Sequence, residues 1–368
     1  MKVDAYIAGA GPAGATAALL LARAGHSVVV LERTRFPRRK VCGEFIAASG
    51  IEFLRGLGLG PELEAGAGPE VRTIALWARE RAFEARMPAW HGAAPWPRAL
   101  ARETLDTVLL DRARRHGAHV IRLPDPAIEA RVRIDARGSW HKGPGASDLL
   151  GFQAHFRGAE LPLETIVLIP FPGGYAGLVE SGAGRVTLAC CVRRSSLEAL
   201  RSRGTPLGDS LLAHLQERSD AFAHAFRGAT REGAWLGAGP LRPGARSLYR
   251  GGAFAIGNAA GEAHPIVGEG IAMAMRSAAL LCGPLSAALK STSFESTYGP
   301  RAVARAYTLA WWRAFGFRVH ASLLFGQLAM RPAIPEAFLR SAPGLLTTAA
   351  ALSGKASNLL ASARRGIG

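Results

Sequence analysis

Residues 3–33 set two short apolar runs around a glycine-rich turn and a helix, and few folds accommodate that pattern. "VDAYIAG", residues 3–9, reads as a buried parallel strand. "GAGPAG" follows, with Gly9, Gly11 and Gly14 in G-x-G-x-x-G spacing and Pro12 and Ala13 between them. "ATAALLLARAG" reads as a helix stopped by Gly25, and "HSVVVLER" as a second buried strand ending at Glu32 and Arg33. In such a β-turn-α-β unit the first glycine permits a tight turn. The second lets the backbone approach a pyrophosphate, and the third allows close helix–strand packing. The helix start adds unpaired N–H groups and a positive dipole end. Glu32 stands where a carboxylate accepts hydrogen bonds from ribose hydroxyls. The unit predicts dinucleotide binding.

Three further segments bear on which dinucleotide. "RFPRRKVCGE", residues 35–44, is a basic loop beyond the second strand, and Gly43 would allow it to pass close to a cofactor. "RETLDTVLLDRARRHGAHV", residues 102–120, carries a helical stripe of Leu105, Val108, Leu109 and Ala113, and Arg102 stands at its start. "GAFAIGNAAGEAHPIVGEG", residues 252–270, reads as a strand, a turn at Gly257 and Asn258, and a Pro265–Gly270 bend into a helix. Gly268, Gly270 and Ile271 would expose helix N–H groups there, suited to a ring edge that gains negative charge on reduction. Two such loops, one near residue 10 and one near residue 270, imply a ligand longer than one nucleotide.

The order "GAGPAG", Glu32, "RRKVCGE", "RETLD" and "GNAAGEAHPIVGEGI" resembles the FAD-dependent oxidoreductases of the aromatic-hydroxylase and geranylgeranyl-reductase superfamily. The resemblance covers roughly residues 1–290. It implies an α/β fold, a Rossmann-like FAD-binding domain interleaved with an antiparallel β-rich substrate domain and followed by a C-terminal helical segment. The expected FAD-binding parts are 1–70, 98–142 and 235–294, the substrate parts 71–97 and 143–234, and the helical region 295–368. It also implies that Gly9, Gly11, Pro12, Ala13, Gly14, Glu32 and Arg33 hold the ADP half. Lys40, Cys42, Gly43 and Arg102 would contact the cofactor from the side. Gly257 and Asn258 would meet the ribityl-pyrophosphate region, and Pro265, Gly268, Gly270 and Ile271 the isoalloxazine. The chain departs from the pattern at Asn258, where the family has Asp, and at "ARGSW", where Arg137 replaces an acid. The stretch 119–140 leaves little room for the family's β-meander.

Alternating runs at 70–88, "LLGFQAHF", "TIVLIPF", "YAGLVES" and "RVTLACCV" predict hairpins of the substrate domain. Phe171, Tyr175 and Leu178 are candidates to line its pocket, or plain core. "YTLAWWRAFGFRVHASLLFGQLAMRP" reads as a helix that packs over that domain or, in a second reading, touches a membrane peripherally.

The formal charge of +17 rests almost wholly on arginine, since the only lysines are Lys2, Lys40, Lys142, Lys290 and Lys355. This reads as coding bias, or as attraction to an anionic partner; scattered basic residues argue against nucleic acid. Cys42, Cys190, Cys191 and Cys282 have no metal spacing, and the adjacent pair should point to opposite faces of one strand. A reducing, cytoplasmic setting is expected, with no signal peptide and no membrane-spanning run.

FAD would perform the redox step with NAD(P)H as reductant. The favoured reading is a monooxygenase acting with O2 on a hydrophobic aromatic or polyketide-type small molecule, free or carrier-protein tethered. His264, before Pro265, is the candidate proton donor or acceptor. The alternative is a reductase of isoprenoid or other activated C=C bonds. Cys42 in "KVCGE" supports it through its likeness to the reductases' "KxCGG". "GYAGLVE" opposes it, because it lacks the Trp, Phe-Pro and Lys of their "GYxWxFPK" motif. A halogenase ranks third, since the Trp-x-Trp-x-Ile-Pro motif is absent.

Overall fold

The computed structural model describes residues 1–87, 95–139, 147–201, 204–291 and 299–330. Two sheets dominate it. The first has six strands in the order Tyr249–Arg250, Ala253–Ala255, Glu129–Asp135, Lys2–Ala8, Val28–Leu31 and His119–Ile121. All neighbours run parallel except the first pair. Ala5 and Ile7 are fully buried under the helices, while Tyr6 faces the other side beneath the Arg133 guanidinium. Helices Pro12–Arg23, Arg102–Arg115 and Gly270–Lys290 pack beside one another over this sheet. Gly25 takes φ +88° just past the first helix, the left-handed stop its sequence predicts. Residues 122–128 alone link the edge strand to Glu129–Asp135, so no meander intervenes.

The second sheet has seven strands in the order Thr230–Ala238, Leu149–Arg157, Arg185–Arg193, Gly174–Glu180, Thr165–Phe171, Thr73–Ala78 and Arg81–Arg86. Only the pairing of Thr165–Phe171 with Thr73–Ala78 is parallel. The pleat divides its side chains. On the far face Phe156, Phe171, Leu178, Leu188, Cys190 and Val192 join a core closed by helices Leu207–Arg218 and Asp220–Ala225. On the near face stand Gly151, Gln153, His155, Tyr175, Gly177, Thr187, Ala189 and Cys191, turned toward the first sheet's loops. Cys190 and Cys191 thus face opposite ways, as expected, and all four cysteines are free. Phe171 and Leu178 are core residues of the far face and do not line the space between the sheets. The strand Thr230–Ala238 also runs across the boundary expected at 235.

The helix Pro300–Ala329 lies along Gly270–Lys290. Trp311 packs on Gly261, the Tyr307 hydroxyl donates to Ala255 O at 2.9 Å, and buried Arg318 pairs with buried Glu269. Gly270–Lys290 is the one described helix long and apolar enough to cross a membrane, which the sequence reading did not anticipate. Here most of that length is buried inside the protein. Of the expected helical region 295–368, residues 295–298 and 331–368 lie outside the described residues.

A buried polar cluster joins the sheets. Glu44 sits at φ +59°, a conformation that costs a non-glycine residue energy. Its Oε1 accepts the Arg102 N–H at 2.9 Å, capping the helix Arg102–Arg115. Its Oε2 contacts His155 Nε2 at 2.9 Å and accepts from Thr187 Oγ1 at 2.6 Å. Thr187 Oγ1 is also 2.8 Å from Ser181 Oγ, and Gln153 lies 3.0 Å from His155 Nε2. Burial opposes the charge on Glu44, but hydrogen bonds from His155, Thr187 and Arg102 outweigh it and hold the carboxyl below the usual glutamate range.

Two outcomes follow from this packing. A Cβ on Gly14 would stand 1.9 Å from Gly9 O, so Gly14→Val should destabilise the fold by about 3 kcal/mol or more in chemical unfolding. Glu44→Gln should cost about 2 kcal/mol at neutral pH. Because the folded carboxyl titrates below its ordinary value, its contribution is complete above that value and fades as the pH falls through the folded one. The gap between Glu44→Gln and the unmodified protein should therefore shrink as the pH falls below the ordinary glutamate range, and a gap independent of pH would contradict the assignment.

Candidate functional site

The two glycine-rich loops, far apart in sequence, meet in space. Gly257, at φ +61°, leaves no room for a side chain because a Cβ there would lie 2.8 Å from the Ala13 Cβ. Its N–H donates to Ser277 Oγ at 2.7 Å. Gly9, at φ +100°, abuts Ala136 O, where a Cβ would come within 2.6 Å. Gly9, Gly14 and Gly257 are thus explained by the chain's own packing.

Gly11, Gly43 and Gly270 are not. Gly11 has φ −69°, which any residue adopts, and the nearest atom to a Cβ there is the flexible end of Arg102 at 3.7 Å. A Cβ on Gly43 would meet only the Ala189 Cβ at 3.9 Å, and one on Gly270 nothing within 4 Å. Gly11 lies by Arg102 and Gly43 by Ala189 of the second sheet's near face, and Gly270 is exposed, so the backbone at all three is open to a bound group. Both helices that open there, at Pro12 and at Gly270, lack a side-chain cap, so their first N–H groups are available to an anion or a carbonyl oxygen. These features fit FAD.

Charged side chains ring the first loop. Glu32, buried, accepts Ala10 N–H at 3.0 Å and Thr34 N–H at 2.9 Å. Burial opposes its charge, but those hydrogen bonds and nearby Arg38 hold it below the usual range. Arg102 makes a two-pronged contact with fully buried Asp106, at 2.8 and 2.7 Å, which aims its guanidinium past Gly11. Arg38 reaches both Glu32, at 3.5 Å, and Asp106, at 3.6 Å. The Lys40 ammonium hangs near Gly138. Three cations against two carboxylates leave this corner positive. Arg33 is exposed at the strand end. Arg38 and Asp106 were not singled out from sequence, although Asp106 stands four residues past Arg102 on one helix face, which is a readable signal.

At the second loop Asn258 Nδ2 contacts Ser139 Oγ at 3.3 Å, and Ser139 donates to Glu262 at 2.8 Å. Pro265–Val267 form a short 3-10 turn that ends at Gly268 in the left-handed region, against the Phe45 ring. Ile271 is buried behind the helix start. Arg137, where the family pattern has an acid, pairs with Asp135 at 2.9 Å.

The two expected catalytic side chains occupy different settings. Cys42 is half-buried, its Sγ accepts the Glu44 N–H at 3.3 Å, and burial raises its pKa, so it is a thiol at neutral pH. His264 is 2 % exposed and clamped by the last helix. Its backbone N–H donates to Ser322 Oγ at 2.9 Å, and Gly326 lies against its ring, where a Cβ would come within 2.4 Å. Burial, with Arg193 nearby, lowers its pKa to about 4, so the imidazole is neutral. Tyr175 is 6.2 Å from it, centroid to centroid, and packs with Leu149, Cys191 and Met330.

Beside His264 opens a cavity of about 410 Å³. Arg193, Arg242 and Arg246 line it, with Leu149, Leu323 and Met330 as its apolar wall. The sequence reading missed these arginines, which lie in separate segments of an arginine-rich chain.

Residues 2–125 match the family model described as an FAD binding domain. Over 89 % of its length the chain is 24 % identical to digeranylgeranylglycerophospholipid reductase 2 of Methanopyrus kandleri, covering 88 % of that protein. Its fold is similar to that of the myxobacterial chondrochloren halogenase CndH, an FAD-dependent halogenase (TM-score 0.74, 19 % identity, 96 % of this chain and 97 % of that one). It is also similar to PqsL of Pseudomonas aeruginosa in complex with 2-aminobenzoylacetate (TM-score 0.67, 20 % identity, 89 % and 96 % covered). With the loop geometry above, the match over residues 2–125 makes the nucleotide-binding part an FAD binding domain and the chain an FAD-dependent oxidoreductase; the solved structures show the fold.

Proposed function

We propose that the chain is a monooxygenase that uses NAD(P)H and O2 to hydroxylate a compact aromatic substrate. The observation that carries this reading is the cavity beside His264. Its volume, about 410 Å³, suits a one- or two-ring molecule. Its wall is rich in hydrogen-bond donors, and its apolar part is short. A long isoprenoid chain needs an extended apolar trough instead.

Bound FAD supplies the two-electron chemistry and, once reduced, the reaction with O2. The chain's own residues set the geometry. Gly11 and the Pro12 helix start would hold the pyrophosphate, flanked by Arg102 and Lys40, and Glu32 the ribose. Asn258 would hold the ribityl chain. The uncapped helix start at Gly270 would offer N–H groups to the ring edge that gains negative charge. Pro265, Val267 and Gly268, with Gly43 and Ala189, would hold the ring. Tyr175 and Leu149 keep water out. His264, neutral, exchanges a hydrogen bond with the substrate rather than a charge.

A second reading, reduction of an activated C=C bond, is favoured by the full-length likeness to the phospholipid reductase and by Cys42, a protonated thiol beside Gly43. The test is turnover of one- and two-ring phenols with NADPH or NADH under isotopically labelled O2. A hydroxylated product carrying the label, formed with NAD(P)H consumption, is expected. A saturated product formed without O2 from an alkene substrate would replace this reading with the second.

A further inference from the structure

The helix Pro300–Ala329 packs one side on the protein and leaves an apolar stripe on the other. Tyr307, Trp311 and Phe315 are buried. Leu309, Arg313, Phe317, His320, Leu324 and Leu328 follow one another at intervals of three and four residues, so they share one face, and all six are exposed. The stripe runs about 28 Å along the helix. Eight large apolar side chains are exposed among the described residues, and five of them stand on this helix: Leu309, Trp312, Phe317, Leu324 and Leu328. Phe317 and Leu324 are 69 % and 62 % exposed. Apolar residues scattered singly over a surface are ordinary, but a contiguous stripe marks a contact.

Charge decides what covers the stripe. The helix has no acidic residue, and Arg301, Arg305 and Arg313 are exposed among or beside the apolar side chains. Its fourth arginine, Arg318, is turned inward to Glu269. The neighbouring helix Gly270–Lys290 has no acidic residue either. A second copy of the chain, paired through the same face, would set arginine against arginine. The chain beyond the helix, residues 331–368, carries Arg331, Arg340, Lys355, Arg364 and Arg365 against Glu336 alone, so it has the same sign as the stripe. A bilayer with anionic headgroups complements both features at once. The arginine stems are long enough for their heads to meet phosphates while Phe317 and Leu324 enter the acyl boundary. Trp312, stacked on His320 with ring centroids 5.9 Å apart, flanks the stripe with a ring that is apolar at one end and polar at the other, suited to the same boundary.

From the exposed apolar stripe and the arginines that no acidic residue of the helix opposes, we infer that Pro300–Ala329 docks the protein on the surface of a bilayer containing anionic phospholipid. The helix lies in the plane of the headgroups and does not cross the bilayer, because its other side is packed on the protein. Leu323 and Gln327, which line the cavity beside His264, each directly precede a stripe residue, so docking sets that cavity next to the headgroups. The inference goes beyond the flavin reading and does not depend on it.

The test is co-sedimentation of the full chain with vesicles of equal parts phosphatidylcholine and phosphatidylglycerol, beside vesicles of phosphatidylcholine alone. Binding to the anionic vesicles should be at least about tenfold tighter and should weaken as salt is added. The charge of +17 would draw the protein to anionic vesicles even without a stripe, so two variants separate the causes. Phe317→Ser combined with Leu324→Ser keeps the charge, and should weaken binding by about tenfold or more with thermal unfolding unchanged. Arg305→Gln combined with Arg313→Gln keeps the apolar stripe, and should weaken binding to the anionic vesicles alone, by about tenfold. No co-sedimentation, or a Phe317→Ser/Leu324→Ser protein that binds as the original does, would overturn the inference. So would a two-chain mass in light scattering that falls to one chain in that variant, since the stripe would then belong to a second copy. None of these readouts requires bound FAD, so the flavin reading stands or falls separately.

Discussion

One buried carboxylate fixes how the two sheets face each other. Glu44 accepts from the first N–H of the helix that begins at Arg102, meets His155 and Thr187 of the second sheet, and closes the loop that carries Cys42 and Gly43. Its backbone stays in the left-handed region because these partners compensate the strain. The same helix start aims Arg102 at the phosphate loop through Asp106. The placing of Arg102 at the phosphate loop and the spacing of the two sheets therefore depend on the same few hydrogen bonds.

Between the sheets the near face is made shallow by Gly151, Gly177 and Ala189, with the Glu44 cluster at one end and Tyr175, Cys191 and His264 at the other. Small residues let a flat ring lie against the strands, and polar groups at both ends set its orientation. The last helix completes the far end: Ser322 and Gly326 hold His264, and Arg318 holds Glu269 at the start of the Gly270 helix. The second glycine loop and the start of the Gly270 helix thus depend on a helix that belongs to neither sheet.

The nucleotide half was legible because each of its parts has a local cause. Strand, glycine turn, helix and strand occur in sequence order, and Gly9, Gly14 and Gly257 are each forced by a contact a side chain would break. The second sheet was legible as strands, but its faces were left open between pocket and core. Tyr175 and Leu178 sit an odd number of residues apart on one strand, so the pleat alone excludes both from one pocket. Phe171 pairs with Gly174 and shares the face of Leu178. The role of Glu44 had a signal too: it stands where the reductases' pattern has a second glycine, so a side chain there must compensate a left-handed backbone. The arginines of the cavity had none, because Arg193 and Arg246 become neighbours only through the packing of a strand end against the second loop.

The central claim is that FAD lies against Gly11, in the space that the chain's own packing leaves open. Titration of flavin-free protein with FAD, followed by flavin fluorescence, tests it most directly when run beside Gly11→Val. Nothing in the fold opposes a side chain at Gly11. The account predicts one FAD per chain for the unmodified protein. For Gly11→Val it predicts unchanged thermal unfolding and FAD binding weakened by about a hundredfold or more. A Gly11→Val protein that binds FAD as tightly as the original, or an original that binds none, would contradict it.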